Sequence, residues 1–466
     1  MLPVSDAYRI EKDSLGEVRV AADALWAAQT QRAVDNIRIA RLPVPAALIR
    51  ALGLIKQAAA EANGALGELP AALAAVIAVA AQEVAEGRHA DQFPVGVLQT
   101  GSGTSTNMNA NEVVARLAAA RAGIPVHPND HVNRCQSSND VMPTAIHLAA
   151  ALGLRDAVLP ALAALAAAIA AKAAEVGAVV KPGRTHLMDA MPVTVGQEML
   201  AWRTQVEDAA ARLAAVAPRL HRLALGGTAV GTGVNAHPEF ATRAIARLAE
   251  LTRLPLEPAA DRFAALASQD TAVELSGQLR GAAVALLKIA NDLRWMNSGP
   301  LAGLGEITLP ALQPGSSIMP GKVNPVVPEA VAMAATLTIA DDAAVAMAGA
   351  SGNFQLNVML PLIAHALLQQ EELVAGSARA LAESVFPGLR VNAEQVAATL
   401  ARNPMLLTAL APRIGYDRAA AIARRAAAEQ RAVLEVAVEE TGLPRAELAV
   451  LLDPARLAHG GRSRGR

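Results

Sequence analysis

The stretch that decides the fold class is residues 271–296, which read TAVELSGQLRGAAVALLKIANDLRWM. Its apolar residues recur at alternating four- and three-residue steps, at Leu275, Leu279, Ala282, Leu286, Ile289 and Leu293. An apolar seam with this period is typical of a long helix that packs nearly parallel to other helices. Residues 151–176 repeat the spacing at Val158, Leu162, Leu165 and Ile169. The sequence therefore predicts a mainly α protein with a central bundle of long helices.

The composition agrees with this prediction. Hydrophobic residues make up 53% of the 466 residues but aromatic residues only 2%, so the apolar content is mostly Ala, Leu and Val, which favours helix. Further helices are predicted at 195–220 and 329–347, and shorter ones at 393–401, 416–427 and 430–440. Short helices and turns are predicted before about Pro125. These patterns divide the chain into regions 1–136, 137–390 and 391–466.

Charge, cysteine count and hydropathy exclude several classes of protein. The net charge of -1 gives no basic surplus for nucleic acid. The single Cys135 cannot build a disulfide framework, a cysteine metal site or an iron–sulfur cluster. The apolar run between Asp156 and Lys172 contains Pro160 and is too short for a membrane span. Because residues 1–20 are mixed and charged, we expect a soluble cytoplasmic protein with no membrane partner.

The first of four polar clusters is TGSGTSTNMN at 100–109, which contains Ser102, Gly103 and Thr104 before a helix predicted to begin near Asn111. Small hydroxyl residues and glycines before a helix N-terminus can bind an anion, because free N–H groups and the positive end of the helix dipole face the ligand. A loop that only caps the helix is the alternative.

The second cluster joins HPNDHVN at 127–133 to QSSND at 136–140. A proline-containing turn separates His127 from His131, so one helical face does not carry both, and we predict no metal site. Ser137, Ser138 and Asn139 are uncharged donors suited to carboxylate oxygens. The alternative is an N-cap for a helix predicted at Thr144.

The third and fourth clusters are GRTHLMDA at 183–190 and GSSIMPGKVNP at 315–325. His186 can act as a general acid or base near neutral pH, with a purely structural histidine as the alternative. Lys322 is one of six lysines, and it lies in a Gly/Pro-rich loop, which suggests a point charge for an anion.

The four clusters together identify the chain as similar to the fumarase/aspartase superfamily. The 315–325 loop resembles the family's signature loop, and the other clusters match its remaining active-site segments in the same order. The similarity extends from residues 8–11 to residues 415–417. THL at 185–187 and HPND at 127–130 resemble class II fumarases. Met188, Gln355 and NPVVPE at 324–329 depart from that pattern, which leaves an aspartate ammonia-lyase or a catalytically silent structural homologue as alternatives.

The resemblance implies reversible hydration of fumarate to L-malate without a cofactor. It implies a homotetramer, in which the central bundles form a twenty-helix core flanked by smaller N- and C-terminal domains, and in which each site takes residues from three subunits. Ser316 and His186 carry the family's proton-transfer roles, with Glu329 orienting His186, and which is the acid and which the base stays open. The substrate contacts implied are Ser102, Gly103, Thr104, Ser137, Ser138, Asn139, Thr185, Ser317, Lys322, Val323 and Asn324. A second, non-catalytic anion site is implied at His127, Pro128, Asn129 and Asp130.

Overall fold

The computed structural model describes residues 7–40 and 42–460, and helices make up most of this part of the chain. The α-helices in the described ranges are α1 (Ala28–Asn36), α2 (Ala46–Ala65), α3 (Ala71–Ala85), α4 (Thr104–Ala122), α5 (Ser138–Gly153), α6 (Leu159–Val176), α7 (Val195–Ala214), α8 (Ala217–Leu220), α9 (Phe240–Thr252), α10 (Arg262–Ala267), α11 (Asp270–Met296), α12 (Val326–Gly349), α13 (Leu360–Ser384), α14 (Ala393–Ala401), α15 (Ala411–Ile414), α16 (Tyr416–Ala428), α17 (Val433–Thr441), α18 (Arg445–Leu451) and α19 (Pro454–Leu457). Turns of π-helix lie at Pro128–Val132 and Leu154–Val158, and turns of 3₁₀-helix at Ala90–Gln92 and Pro404–Ala409.

The strands are short and form two-stranded sheets. They are β1 (Tyr8–Asp13), β2 (Gly16–Ala21), β3 (Val180–Thr185), β4 (Met188–Thr194), β5 (Arg222–Leu223), β6 (Glu257–Pro258), β7 (Ile307–Thr308), β8 (Gly352–Asn353), β9 (Leu356–Asn357) and β10 (Arg390–Val391). The pairs β1–β2, β3–β4, β8–β9 and β7–β10 are antiparallel, whereas β5–β6 is parallel. The fold is therefore mainly α, as the sequence predicts.

The chain divides into two compact units, and the first comprises Met1–Pro160, Ala209–Ala283 and Ala334–Ala375. Its core lies along α2, which packs against α3, α5 and α9. Gly53 of α2 allows the close approach to α3, because a Cβ atom there would lie 2.5 Å from the backbone nitrogen of Ala85. Leu52 and Ile55 of the same helix are fully buried. This unit carries the clusters at 100–109 and 127–140.

The second unit comprises Ala161–Asp208, Val284–Met333 and Gly376–Arg466. Trp202 is fully buried in it, donates a hydrogen bond to Asp292 Oδ2 at 3.1 Å, and packs its ring 6.3 Å from that of Phe386. A separate cluster of buried apolar residues, which includes Leu410, Ile422 and Val436, joins the short helices near the C-terminal end of the described chain. This unit carries the clusters at 183–190 and 315–325.

The predicted helices are mostly confirmed, with differences at their ends. The helix predicted at 271–296 is α11, and those at 393–401 and 416–427 are α14 and α16. The helix predicted at 151–176 begins much earlier, because α5 continues through the π-turn into α6. The helix predicted at 195–220 breaks after Ala214 and resumes as α8, where Pro218 occupies the first turn. The prediction of only short helices before Pro125 is wrong, since α2 and α4 have 20 and 19 residues.

The two units are not continuous stretches of sequence, and their boundaries fall inside helices such as α11 and α13. The division of the chain into three consecutive regions therefore stays a prediction. Residues 1–6, 41 and 461–466 of those regions lie outside the described part of the chain.

Two helical stretches, Ser138–Val176 and Val326–Gly349, are long and apolar enough to cross a membrane by length and composition. The apolar run between Asp156 and Lys172 is one part of the first stretch, which extends well before Asp156. Length and composition alone are weak evidence for a span, since core helices of water-soluble proteins meet the same criterion.

Candidate active site

The loop before α4 places two hydroxyls at a helix N-terminus. Gly103 is the N-cap of α4 with φ +74°, and a Cβ atom there would lie 2.6 Å from Met142 Cε. Glycine is therefore required both for the backbone conformation and for space. The hydroxyls of Ser102 and Thr104 are hydrogen-bonded to each other at 2.8 Å, and both residues are partly exposed. The sequence predicts a helix start near Asn111, but the helix begins at Thr104.

The early start of α4 results from tertiary contacts, which helix propensities do not take into account. Asparagine is a weak helix former, so the run of Asn107, Asn109 and Asn111 suggests a loop. In the structure all three are buried, and their side-chain amides donate hydrogen bonds to neighbouring segments, such as Asn109 Nδ2 to the Gln92 carbonyl at 3.0 Å. These tertiary contacts outweigh the weak propensity.

Ser137 caps α5, which begins at Ser138 and not at the predicted Thr144. Its hydroxyl accepts a hydrogen bond from the Asn139 backbone N–H at 3.2 Å, and the Asp140 carboxylate accepts one from the Ser137 N–H at 2.9 Å. This reciprocal pair is a capping box. The capping alternative is thus confirmed for Ser137. Its hydroxyl proton is not used by the capping contact and can still be donated to a ligand.

Asp140 joins this turn to a second backbone segment. Its Oδ2 accepts hydrogen bonds from the N–H groups of Gly226 at 2.8 Å and Thr228 at 2.9 Å, while Asn139 Nδ2 donates to the Ala229 carbonyl at 2.8 Å. Burial raises the pKa of Asp140 to about 6, and the backbone donors oppose that rise. The Ser137–Asn139 turn is therefore held rigidly from the 226–229 side.

The 127–133 segment forms the π-turn Pro128–Val132. His127 Nδ1 accepts from the Asp130 N–H at 3.1 Å, and His131 Nδ1 accepts from the His127 N–H at 3.0 Å. The Nδ1 atom of each histidine therefore accepts a hydrogen bond from a backbone N–H. Within residues 7–40 and 42–460, no group of three or more His, Cys, Asp or Glu side chains is arranged to hold a metal ion. His127, Asn129 and Asp130 are exposed, as a surface anion site would require.

In the second unit, His186 lies at the tip of the β3–β4 hairpin. Thr185 pairs with Met188, so the loop has two residues, and both His186 and Leu187 have positive φ angles of 57° and 61°. Such angles are typical of the type I′ turns that match the twist of a hairpin. Thr185 and His186 are exposed there. The predicted polar turn between helices is therefore a strand hairpin.

A buried ionic network fixes this hairpin. The ammonium of Lys181 lies 2.6 Å from Glu198 and 2.9 Å from Glu306, and Arg184 contacts the other oxygen of Glu306 at 2.6 Å. Lys181 and Glu306 are 1% and 4% exposed. Since the ions are buried and mutually paired, they resist motion of β3 relative to α7. Sequence reasoning missed Glu306, and no motif near it could have identified it.

The 315–325 loop closes on itself through its backbone. The Gly315 N–H donates to the Lys322 carbonyl at 2.7 Å, and Asn324 Nδ2 donates to the Gly315 carbonyl at 2.8 Å. The Ser316 hydroxyl oxygen accepts from the N–H groups of Ile318 at 3.2 Å and Met319 at 3.0 Å. Lys322 is exposed and forms no salt bridge within the described residues. Its positive charge is therefore available to a ligand.

Two cavities in the second unit are each lined by a different subset of the predicted residues. One has a volume of about 820 Å³ and includes Lys322, Val323, Asn324 and Glu329 in its lining. The other, of about 410 Å³, is lined by His186, Leu187 and the ion-paired Lys181 and Arg184. Trp295, which sequence reasoning missed, lines both. Ser316, Ser317 and Thr185 line neither of these two cavities.

The sequence matches two known families over most of its length. The family described as lyase matches residues 16–339, and the family described as fumarase C C-terminus matches residues 406–459. The chain is 58% identical over 457 residues to a class II fumarate hydratase of Xylella fastidiosa, covering 98% of this chain and 97% of that protein. It is 56% identical over 453 residues to the protein "Fumarate hydratase class II 2" of Pseudomonas aeruginosa, with coverage of 97% and 99%.

Solved structures agree with the sequence relatives. The crystal structure of a recombinant class II fumarase from Schistosoma mansoni is similar with a TM-score of 0.93 and 37% identity, covering 97% of this chain and 99% of that chain. The similarity therefore includes both compact units and all four polar clusters. The chain belongs to the lyase family and, within it, to the class II fumarate hydratases.

Proposed function

We propose that this chain catalyses the reversible addition of water to fumarate, which gives L-malate. In the dehydration direction, a base removes a proton from the carbon beside one carboxylate, and an acid protonates the departing hydroxide. Negative charge builds up on that carboxylate in the transition state. The site must therefore supply a base, an acid and fixed positive or hydrogen-bonding groups.

The observation that carries the proposal is the environment of the Ser316 hydroxyl. A serine hydroxyl is a poor base unless its oxyanion is stabilised. Two backbone N–H groups, those of Ile318 and Met319, already point at Ser316 Oγ, and they would donate more strongly to an alkoxide than to a neutral hydroxyl. The geometry thus supports Ser316 as the group that takes the proton.

His186 with Glu329 is proposed as the second proton-transfer pair, acting through a water. The rigid hairpin supports this role because it keeps the imidazole exposed at a fixed position. Lys322 and Asn324 line one cavity, which suits a charge and a donor for the carboxylate that gains charge. Ser317 and Val323 belong to the same loop, and Thr185 to the hairpin, and we propose the same binding role for them.

We propose that the substrate's carboxylates are also bound by the hydroxyl and amide donors of the first unit. These are Ser102, Gly103 and Thr104 at the start of α4, and Ser137, Ser138 and Asn139 at the start of α5. Both sets lie at helix N-termini, where N–H groups and the helix dipole favour an anion. His127, Asn129 and Asp130, which are exposed, and the partly exposed Pro128 are proposed as a separate, non-catalytic anion site.

A homotetramer with shared sites is proposed for the assembly. Several large apolar side chains on the long helices are exposed in the single chain, including Val284, Met333 and Met347, of which Met347 is 74% exposed. Burying such side chains against partner helices would stabilise an oligomer. We further propose that the protein is cytoplasmic, that it needs no cofactor, and that residues 1–136, 137–390 and 391–466 form its three domains.

The proposal is tested by following ultraviolet absorbance of the conjugated diacid with purified protein. After malate is added, the absorbance should rise with time as fumarate forms. After fumarate is added, the absorbance should fall with time as it is consumed. Aspartate should release no ammonia. Ammonia release from aspartate at a comparable rate would instead identify an aspartate ammonia-lyase, the alternative that Gln355 and the NPVVPE run at 324–329 favour. Inertness toward all three compounds would indicate a catalytically silent homologue.

A further inference from the structure

A buried lysine lies against the loop that leads into α5. Lys56, near the middle of α2, is 0% exposed. Its ammonium donates hydrogen bonds to Asn133 Oδ1 at 3.0 Å and to Gln136 Oε1 at 2.9 Å. The next residues along the chain are Ser137, Ser138 and Asn139. The ammonium is therefore fixed to the segment that directly precedes the proposed carboxylate donors.

The hydrogen bonds of Lys56 belong to a buried amide network. Asn133 Oδ1 also accepts from Asn107 Nδ2 at 3.3 Å and Asn111 Nδ2 at 3.1 Å, so the oxygen faces three donors. The same Asn107 Nδ2 donates to Ser138 Oγ at 3.0 Å. Asn133 Oδ1 thus connects Lys56 to α4, and Asn107 connects α4 to the start of α5.

The charges around Lys56 are few. Asp140 of α5 is the charged group that acts on the ammonium, and its own carboxylate is bound to backbone N–H groups. The groups in contact with the ammonium are the uncharged amides of Asn133 and Gln136. In α9, which also packs on α2, Arg247 is paired with Glu61. Within the described residues Lys56 makes no direct salt bridge, so its positive charge is only partly neutralised.

Burying a lysine in this way has a cost for folding. Loss of hydration lowers the pKa of Lys56 to about 7, and the negative charge of Asp140 opposes the change. The two amide oxygens that Lys56 contacts need a hydrogen-bond donor, and a neutral amide side chain could supply one at a smaller desolvation cost than an ammonium. A neutral residue could therefore fill this space, and a cation here calls for a role that a neutral residue could not perform.

We propose that Lys56 is a positioning residue that holds the loop before α5 in place and adds positive charge behind the carboxylate donors Ser137, Ser138 and Asn139. The donors themselves are uncharged, and a fixed cation close behind them would favour a dianionic substrate over water. This inference rests on the proposed function, because it presumes that these donors bind a substrate carboxylate.

The test compares steady-state kinetics of the wild-type protein with those of Lys56→Gln and Lys56→Met at about pH 6, where a lysine with a pKa of about 7 is mostly protonated. Glutamine keeps hydrogen-bond donors for Asn133 and Gln136 but lacks the charge, whereas methionine removes both. The inhibition constant of succinate, a saturated dicarboxylate that cannot be hydrated, is measured in parallel. Both variants should raise the KM for fumarate and the succinate inhibition constant by about tenfold, with a smaller fall in kcat.

The matched control is Lys172→Met, which removes another buried lysine. Lys172 is 5% exposed, it belongs to the other unit, and its ammonium contacts Glu175 and the Pro387 carbonyl. Its loss should lower the melting temperature while the KM for fumarate stays within about twofold of the wild-type value. A merely structural role for Lys56 would give this same pattern in Lys56→Met.

A folded Lys56→Gln with wild-type KM and wild-type succinate inhibition would overturn the inference. Failure of Lys56→Gln to fold would also contradict it, because the charge would then serve folding and not substrate binding. If Lys56→Met fails to fold but Lys56→Gln folds, the KM and the succinate inhibition constant of Lys56→Gln alone test the inference. Absence of fumarate hydration by the wild-type protein would instead overturn the proposed function, so the two failures are distinguishable.

Discussion

The hydroxyl oxygen of Ser316 accepts a hydrogen bond from the backbone N–H of Met319 at 3.0 Å. The N–H of Ile318 donates to the same oxygen at 3.2 Å. These donors lie in the loop that also carries Lys322 and Asn324. A serine base gains negative charge when its hydroxyl loses a proton, and fixed N–H donors stabilise that charge. The backbone conformation of the loop supplies these donors.

Ser316→Ala should lower kcat by about 10²- to 10⁴-fold and leave the KM for fumarate nearly unchanged, because a base acts in the transition state and contributes little to ground-state binding. Steady-state kinetics at equal protein concentration, after confirming equal oligomer content, measures this. Ile318→Ala, an exposed change in the same loop, is the control. Retention of most of the wild-type kcat by Ser316→Ala would make His186 the leading candidate for the base.

Lys322→Ala should affect both kinetic constants. The ammonium is proposed to bind a substrate carboxylate and to stabilise the charge that it gains in the transition state. Loss of one such contact is worth about 3–4 kcal/mol, or about 10²–10³ in rate, by analogy with oxyanion-hole donors. We therefore expect a higher KM together with a lower kcat. A variant with only its KM changed would indicate that Lys322 binds the ground state alone.

The fold was predictable from the sequence wherever an apolar seam continues without interruption. The predicted helix at 271–296 differs from α11 by one residue, because its seam contains no competing signal. Prediction failed where tertiary contacts decide, as at the buried asparagines that begin α4. The π-turn at Leu154–Val158 likewise joins α6 to α5, so the helix predicted to begin at residue 151 starts much earlier.

The site was predictable as a set of segments but not as an arrangement. Polar clusters in an alanine-rich chain drew attention to His186, Lys322 and the serines, and their role in a site stays a prediction. The contacts of Lys56 and Glu306 were not predictable, since each joins segments tens to hundreds of residues apart. The spacing of residues along the sequence does not show which distant side chains a buried charged residue will contact.

Glu371→Gln should stabilise the protein at neutral pH. Glu371 of α13 is 4% exposed and has a carboxylate oxygen without a hydrogen-bond partner in the described structure, and burial raises its pKa well above the ordinary value. The folded state therefore binds a proton that the unfolded state releases, and stability is lost as pH rises from the unfolded pKa toward the folded one. The neutral glutamine removes this loss.

Melting temperatures between pH 4 and 8 measure this effect. The gain of Glu371→Gln over wild type should be largest near pH 8 and vanish near pH 4, where the glutamate is protonated in both states. The neighbouring exposed Glu372→Gln is the control and should change little. An equal difference at all pH values would contradict the assignment of Glu371 as a buried neutral acid.

Light scattering should give a particle of about four times 47.9 kDa. The exposed apolar side chains of α11 and α12, such as Val284 and Met333, need partner helices to cover them. Dilution that dissociates the tetramer should abolish activity, because each site is proposed to take residues from three subunits. An active species with the mass of one chain would rule out shared sites.

The measurement that tests the central claim most directly is proton NMR of fumarate incubated with the wild-type protein in D₂O. The account predicts that the fumarate signal falls to a constant equilibrium level and malate forms with a single deuterium at C3, because one solvent deuteron and one deuteroxide are added across the double bond. Persistence of the fumarate signal with a folded protein, or release of ammonia from aspartate as the only reaction, would contradict it.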